Sequence, residues 1–126
     1  PIKYLPEENK ETDIYLVVEV MPEFPNGLKA LFDFIYDNLK YPSDAIEKGI
    51  QGRVTVGVVI DENGSVTQPK ILKSISSSLD KEALRIVSIM PKWKPGTQDG
   101  VPVKVKCTFP VIFKLPNNDD LKTDSL

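Results

Sequence analysis

The sequence of 126 residues predicts an α+β fold, a two-layer sandwich in which one antiparallel sheet packs against helices. Two alternating apolar segments flank the dipeptide Asn63-Gly64, which predicts a β-hairpin. The next segment has apolar residues at helical spacing, and a third alternating segment follows it. The resulting order β-β-α-β predicts a sheet of about three strands with a helix packed on one face.

The strands of the hairpin are predicted over residues 52–60 and 66–74. We expect a bulge or an edge break at Pro69, because proline cannot donate to the ladder and the alternation of apolar residues changes phase there. Residues 96–100 are predicted to be a polar turn. The last strand is predicted over residues 101–115, with its odd-numbered side chains facing the core.

Three helices are predicted, near residues 28–39, 42–48 and 79–90. In the first and the third, apolar residues recur every three or four positions, which is typical of a helix with one buried face. Gly49 is placed as a left-handed cap at the end of the second helix. Pro91 ends the third helix, because proline cannot continue it.

The chain is predicted to be one domain over residues 13–115. Residues 1–12 are polar and aperiodic and are predicted to be the end of a flexible linker, and residues 116–126 are predicted to be a disordered tail. Residues 14–20 alternate apolar and polar positions. A short fourth strand over this segment stays an open alternative.

Composition excludes several classes of function. The formal charge of −2 provides no basic field for nucleic acid, so we expect no nucleic-acid partner. The sequence has no histidine, and Cys107 is in register with core-facing residues, so we expect it to be a small core residue. We find no phosphate loop, zinc spacing or catalytic triad. The prediction is a protein that is not an enzyme and has no catalytic residue, no metal and no cofactor.

A series of sequence landmarks occurs in a fixed order between Tyr41 and Leu115. The landmarks are Tyr41-Pro42-x-x-Ala45, Ile50-x-Gly52-Arg53-Val54-x-Val56, Asn63-Gly64-x-Val66, Leu79-Asp80-x-Glu82-Ala83-Leu84 and Met90-Pro91-x-Trp93-x-Pro95. As a set, and followed by an alternating strand, they resemble the C-terminal domain of the TonB family. The segment before residue 28 resembles a variant with an extra N-terminal strand.

The resemblance implies a periplasmic domain that binds the TonB box, a short peptide of outer-membrane transporters, by β-strand addition. Such a domain transmits energy from a proton-driven motor complex in the inner membrane for nutrient uptake. The chain begins at Pro1 without an initiating methionine. We therefore expect a missing N-terminal anchor that tethers the full-length protein to the inner membrane.

The last strand is the predicted docking site. Pro110 lacks a ladder donor, which favours an edge position for this strand. Outward lysines and a proline also protect edges from aggregation, and the residues alone do not decide between protection and docking. The resemblance favours docking. The predicted partner-binding residues of this strand are Val103, Lys104, Val105, Lys106, Cys107, Thr108 and Phe109.

A second predicted contact with the partner precedes the Tyr-Pro landmark. The resemblance implies that Asn38, Lys40, Tyr41 and Pro42 lie against the transporter peptide. Well-known members carry glutamines just before Tyr-Pro, where this chain has Asn38 and Lys40.

We also expect the substitution Val105→Pro to abolish peptide binding while leaving the fold largely intact. If residues 14–20 paired with the last strand, they would cover the docking edge.

Two alternative functions stay open at this stage. The first is a TonB-like peptide-binding module of a membrane sensor or protease, which would use the same edge without a motor. The second is a structural domain that forms a homodimer by pairing or exchanging edge strands.

Overall fold

The structure, a computed structural model, describes residues 14–115. The predicted linker end and the predicted tail lie outside the described residues. The elements in chain order are β1 (Ile14–Tyr15), α1 (Leu28–Asn38), α2 (Ser43–Lys48), β2 (Gly52–Ile60), β3 (Val66–Lys73), α3 (Ser77–Ser88), β4 (Gly96–Gln98) and β5 (Val101–Phe113). The predicted α+β class and all three predicted helices are confirmed.

The sheet is built around strand β5. Its strand order is β1-β5-β2-β3, and β4 pairs separately with β5. Strand β5 runs antiparallel to β2 in an unbroken register from Gly52 opposite Phe113 to Ile60 opposite Val105. Strand β3 runs antiparallel to β2, as a hairpin requires. The predicted β-β-α-β unit is therefore present, with two short strands added to it.

The two added strands differ from expectation. The predicted strand over residues 14–20 is reduced to β1, which pairs parallel with Lys104 and Val105 of β5. The predicted polar turn over residues 96–100 contains β4, which forms a hairpin with the start of β5. Asp99 and Gly100 form its two-residue turn with φ of 55° and 79°. Positive φ at both positions suits a tight hairpin, so β4 folds back on β5.

The bulge predicted at Pro69 is confirmed. The β2–β3 register shifts between Gly57, opposite Lys70, and Val59, opposite Thr67. Two residues of β3 thus face one residue of β2, and Gln68 takes a φ of 49°. The extra residue shifts the side-chain alternation of β3 by one position, so that side chains on both sides of the bulge can face the core.

The core lies between the inner face of the sheet and the helices. Helix α1 buries Leu31 and Ile35, and helix α3 packs its apolar face across β2 and β3. The indole of Trp93 stands edge-on to Phe24, with ring centroids 5.6 Å apart. The buried cluster consists of Phe24, Leu31, Ile35, Ala45, Val54, Val56, Val58, Ile60, Leu79, Ala83, Ile86, Val87, Trp93, Phe109, Val111 and Phe113.

Residues 16–27, here called the strap, connect β1 to α1 and cross the outside of β4. Val20 and Thr97 exchange two backbone hydrogen bonds of 3.1 and 2.8 Å. Glu23 and Lys94 exchange two more, of 3.0 and 2.8 Å. Phe24 is buried at the end of the strap. These contacts fix the strap to the domain at several points and thereby place β1 beside β5.

The β2–β3 turn is tied to the segment after α3. The backbone amide of Trp93 donates to the carbonyl of Gly64 at 2.8 Å. Gly64 has a φ of 85°, and a Cβ atom built there would lie 1.9 Å from the carbonyl oxygen of Trp93. Only glycine combines this φ with so close an approach of two backbones.

The substitution Gly64→Ala is therefore expected to lower the free energy of unfolding by more than about 3 kcal/mol, because backbone strain and a backbone clash add. The matched control is Gly49→Ala, where φ is 68° but no atom lies within 4 Å of the added Cβ. In that control only backbone strain lowers the free energy of unfolding, by about 1–2 kcal/mol. Urea denaturation compares the two variants, and equal losses would contradict the close approach at Gly64.

A buried carboxylate joins the end of α1 to α3. Glu82 is 8% exposed and accepts hydrogen bonds from Arg85 Nε and Nη2, both at 2.8 Å, and from the Lys40 amide at 2.7 Å. Arg85 Nη2 also donates to the carbonyl of Asn38 at 2.7 Å. Burial disfavours the charged carboxylate, but Arg85 and Lys40 together outweigh burial, so the pKa of Glu82 lies below its ordinary value.

A folded-state pKa below the unfolded one means that ionised Glu82 stabilises the fold above its ordinary pKa. This stabilisation is lost as the pH falls through the depressed value. The substitution Glu82→Gln is expected to lower the free energy of unfolding by about 1–2 kcal/mol at pH 7, because the amide cannot replace a charged acceptor. Denaturation at neutral pH and below pH about 3 measures this difference, which should shrink at the acidic pH.

The control for this prediction is Asp33→Asn, which breaks the exposed Lys29–Asp33 pair of 2.9 Å on α1. Exposed pairs contribute little, so no change in stability is expected from it at either pH. A loss in Glu82→Gln that stays constant from neutral to acidic pH would show that the carboxylate charge is not the stabilising feature.

Candidate functional site

The side chains of β5 alternate as predicted. Val105 and Phe109 are buried on the inner face, and Cys107 is partly buried beside them. Lys106 and Thr108 are exposed on the outer face. One face of the strand is therefore packed against the core, and the other face is exposed.

The main chain of β5 alternates in the same way. The amide of Ile112 donates to the hydroxyl oxygen of Tyr36 at 3.2 Å, so it points away from β2. Because the register with β2 is unbroken, the main-chain groups of Lys106, Thr108 and Pro110 also point away from β2. Residues of the other parity, such as Phe109, direct their N–H and C=O groups to β2.

The outward edge of β5 is covered only in part. Strand β1 pairs with this edge at Lys104 and Val105, whereas β4 pairs with residues 101–103 on the other edge, beyond the end of β2. Within residues 14–115, no strand pairs with the outward edge from Lys106 to Ile112. The predicted docking segment is thus divided. Val103, Lys104 and Val105 have neighbours in the chain's own backbone, whereas Lys106, Cys107, Thr108 and Phe109 lie along the uncovered part.

The expected effect of Val105→Pro is corrected by this geometry. Val105 is fully buried and stands opposite Ile60, so its amide faces β2. A proline there would remove a bond of the central ladder and destabilise the fold. Thr108 is the position whose amide belongs to the free edge, and the sequence alone does not show which parity faces outward.

A groove of about 490 Å³ runs beside the uncovered edge. One wall is β5 itself, and the opposite wall comes from the strap and from α1. The lining is mostly apolar. It consists of Leu16, Met21, Pro22, Leu28, Leu31, Phe32, Trp93, Lys106, Cys107, Thr108, Phe109 and Pro110. An edge that offers hydrogen bonds therefore lies next to a surface that can take apolar side chains.

The second predicted contact segment lies elsewhere. The Asn38 side chain donates to the carbonyl of Phe34 at 2.8 Å, and the Lys40 amide is held by Glu82. The ring of Tyr41 stands edge-on to Phe113, with ring centroids 5.5 Å apart, and its hydroxyl donates to a backbone carbonyl. None of Asn38, Lys40, Tyr41 and Pro42 lines the groove. Of these four residues, Tyr41 contacts the far end of β5, and Asn38 and Lys40 are bonded to the helices.

Cys107 lines the groove but is not an activated thiol. Burial raises its pKa to about 11, so the thiol is protonated at neutral pH. The position provides packing next to Phe109. Among residues 14–115, no cluster of three or more His, Cys, Asp or Glu residues could hold a metal ion.

The apolar walls of the groove were not predicted as part of the site. Leu28, Leu31 and Phe32 belong to the apolar face of the helix predicted near residues 28–39, which was expected to be buried. Leu28, however, is 69% exposed, and Met21 of the strap is 45% exposed. The signal in the sequence was an apolar stripe on α1 wider than a small core can cover. Within the described part of the chain, no helix is long and apolar enough to cross a membrane.

Comparison with known proteins identifies the family of this chain. The family model described as Gram-negative bacterial TonB protein C-terminal matches residues 37–115. Protein TonB of Vibrio cholerae is 34% identical over 79 residues, which are 60% of this chain and 31% of that protein. The chain therefore corresponds to about a third of the length of this relative.

Solved structures show the same fold. A solution structure of the TonB C-terminal domain of Helicobacter pylori aligns with a TM-score of 0.55 and 26% identity, over 70% of this chain and 79% of that one. A shorter fragment of the same domain gives a TM-score of 0.50 at 24% identity, over 71% of this chain and 95% of that one. The second likeness supports the fold alone.

The family match covers α2, the hairpin, α3 and the whole of β5, and it begins just before the end of α1. It includes the uncovered edge from Lys106 to Ile112, while the strap and almost all of α1 lie before it. The chain belongs to the TonB C-terminal domain family, whose members are periplasmic and associated with transport.

Proposed function

We propose that this domain binds the TonB box of outer-membrane transporters by adding it as a strand to β5, along Lys106–Ile112. The single observation that supports this most strongly is the uncovered edge beside an apolar groove. Strand addition uses main-chain hydrogen bonds for affinity and alternate side chains for specificity. The uncovered edge offers the main-chain groups, and the groove beside it can take the alternate side chains.

The number of available groups suits a modest affinity. Thr108 offers an N–H and a C=O, and Lys106, Pro110 and Ile112 each offer a C=O. About five hydrogen bonds at roughly 0.5–1.5 kcal/mol each give a few kcal/mol. Association and ordering consume much of this, so the ladder alone supports micromolar binding at best. Side-chain contacts must supply the remainder.

The proposed role in the cell follows from the family. An N-terminal anchor in the full-length protein would tether the domain to the inner membrane, where a proton-driven motor complex supplies energy for nutrient uptake. Force directed along β5 would load the bonds of the added strand together, so a weakly bound peptide could resist pulling. The transported substrate would contact the transporter and not this domain.

A homodimer formed by edge-strand pairing is the competing use of the same surface, because an uncovered edge can pair with a second copy. Sedimentation across a concentration series, with and without a transporter peptide, separates the two. A monomer that binds the peptide supports docking. A peptide-binding module of a sensor or protease would give the same result as a transport domain in this assay. The N-terminal remainder of the gene distinguishes these two functions.

The substitution Thr108→Pro tests the proposed edge. It removes the outward N–H without taking a bond from the β2 ladder, and the ring projects toward the incoming strand. We expect the dissociation constant for a synthetic TonB-box peptide to rise about tenfold or more. Titration followed by two-dimensional NMR measures this and also reports whether the fold is kept.

The matched control is Thr108→Val, which changes the exposed side chain but keeps the amide. Its affinity for the peptide should stay close to that of the wild type. If Thr108→Pro bound the peptide as tightly as the control, the added strand would have to lie elsewhere, and the proposed function would lose its structural basis.

A further inference from the structure

Half of the residues that line the groove beside β5 come from parts of the chain that the family match does not include. Leu16, Met21 and Pro22 come from the strap, and Leu28, Leu31 and Phe32 come from α1. The match begins at residue 37. Specificity located in this groove would therefore distinguish this chain from relatives that share only the edge.

The parity of β5 determines which part of an added strand reaches the groove. Side chains of neighbouring strands that stand opposite each other point to the same face of the sheet. Cys107 and Phe109 face inward, so the peptide residues opposite them also point inward, against Leu28 and Phe32. The peptide residues between them point to the outer face.

The outer face beside the same edge is basic. Lys106 is exposed on this face, and the cleft of about 130 Å³ that it lines extends from β5 across β2 to Lys70 of β3. Lys104 lies one step further along β5, with its ammonium 3.5 Å from Glu62. A carboxylate on the outward residue of the peptide would thus stand near Lys106, the exposed lysine of the docking edge. This charge complementarity favours an acidic residue there.

The inner groove offers a large apolar surface to the same peptide. Its volume of about 490 Å³ falls within the range of about 300–1,000 Å³ that is typical of ligand clefts. Leu28 and Met21 stand exposed on its rim, 69% and 45% respectively. An apolar peptide side chain that covers them buries apolar surface, which stabilises the complex, and a polar side chain would not do so.

We infer that this groove binds large apolar side chains of the added strand and so selects extended peptides that alternate apolar residues with acidic ones. This inference rests on the proposed function, because the strand must first be added along Lys106–Ile112. The groove would determine which peptides bind tightly. The backbone edge of β5 would determine that a peptide strand can bind at all.

The test uses two synthetic peptides of equal length and charge. One is Ser-Leu-Glu-Leu-Glu-Leu-Ser, and the other has serine in place of each leucine. We expect the wild-type domain to bind the leucine peptide about tenfold to a hundredfold more tightly, because burial of apolar surface provides the difference. Titrations followed at the amides of residues 106–112 give both dissociation constants and the position of binding.

The groove variant is the double substitution Met21→Gln and Leu28→Gln. Both side chains are exposed, so the fold should be kept, and the preference for leucine should fall to about threefold or less. The control is Ile46→Gln, since Ile46 is 50% exposed on α2 and does not line the groove. This control should keep the full preference of the wild type.

The outcomes separate this inference from the proposed function. Equal affinity of the two peptides for the wild type, or an unchanged preference in the double variant, would overturn the groove's role while shifts at residues 106–112 would still support the edge. If a TonB-box peptide also failed to shift these amides, the proposed function itself would fail. Amide shifts that depend on protein concentration without any peptide would identify a second copy as the occupant and overturn the inference.

Discussion

The backbone N–H and C=O groups of β5 point alternately to β2 and to the outward edge, and both the core and the candidate site are arranged around this alternation. The odd-numbered residues of β5 are bonded to β2 and bury their side chains, as Val105, Phe109 and Val111 do. Its even-numbered residues direct their backbone groups outward, and Pro110 fits there because it has no N–H to lose. The same strand can therefore be the centre of the core and the candidate site at once, because its two sets of main-chain groups serve different edges.

Strand β1 and the strap define how much of this edge is left. Strand β1 adds a parallel pair at Lys104 and Val105, while β4 lies on the other edge of β5, against residues 101–103. The strap then crosses to α1 and forms one wall of the groove. At the other end, the hydroxyl of Tyr36 accepts the Ile112 amide. Between these two limits, about one short peptide strand can pair with β5. The length of the site is thus set by the chain's own backbone at one end and by a single side chain at the other.

Most of the fold could be predicted, because its signals are local. Asn63-Gly64 indicated the hairpin, Pro69 indicated the bulge, and apolar spacing indicated α1 and α3. Strand β4 was missed although Asp99-Gly100 carries the same kind of turn signal, since only three residues precede that turn in the strand. The site was predicted in part. Side-chain parity along β5 followed from the sequence, but the direction of its amides depends on the register with β2. The placement of Asn38 to Pro42 depends on Glu82 and Arg85, which are distant in sequence.

Amide hydrogen exchange at Thr108 shows whether the edge of β5 is free, because this amide either has a partner or faces water. In the free protein, we expect fast exchange at Thr108 and slow exchange at Cys107 and Phe109, whose amides are bonded to β2. With a saturating transporter peptide, Thr108 should become protected while its two neighbours stay unchanged. Slow exchange at Thr108 in the free protein, or fast exchange that persists with the peptide bound, would show that a peptide strand does not add to this edge.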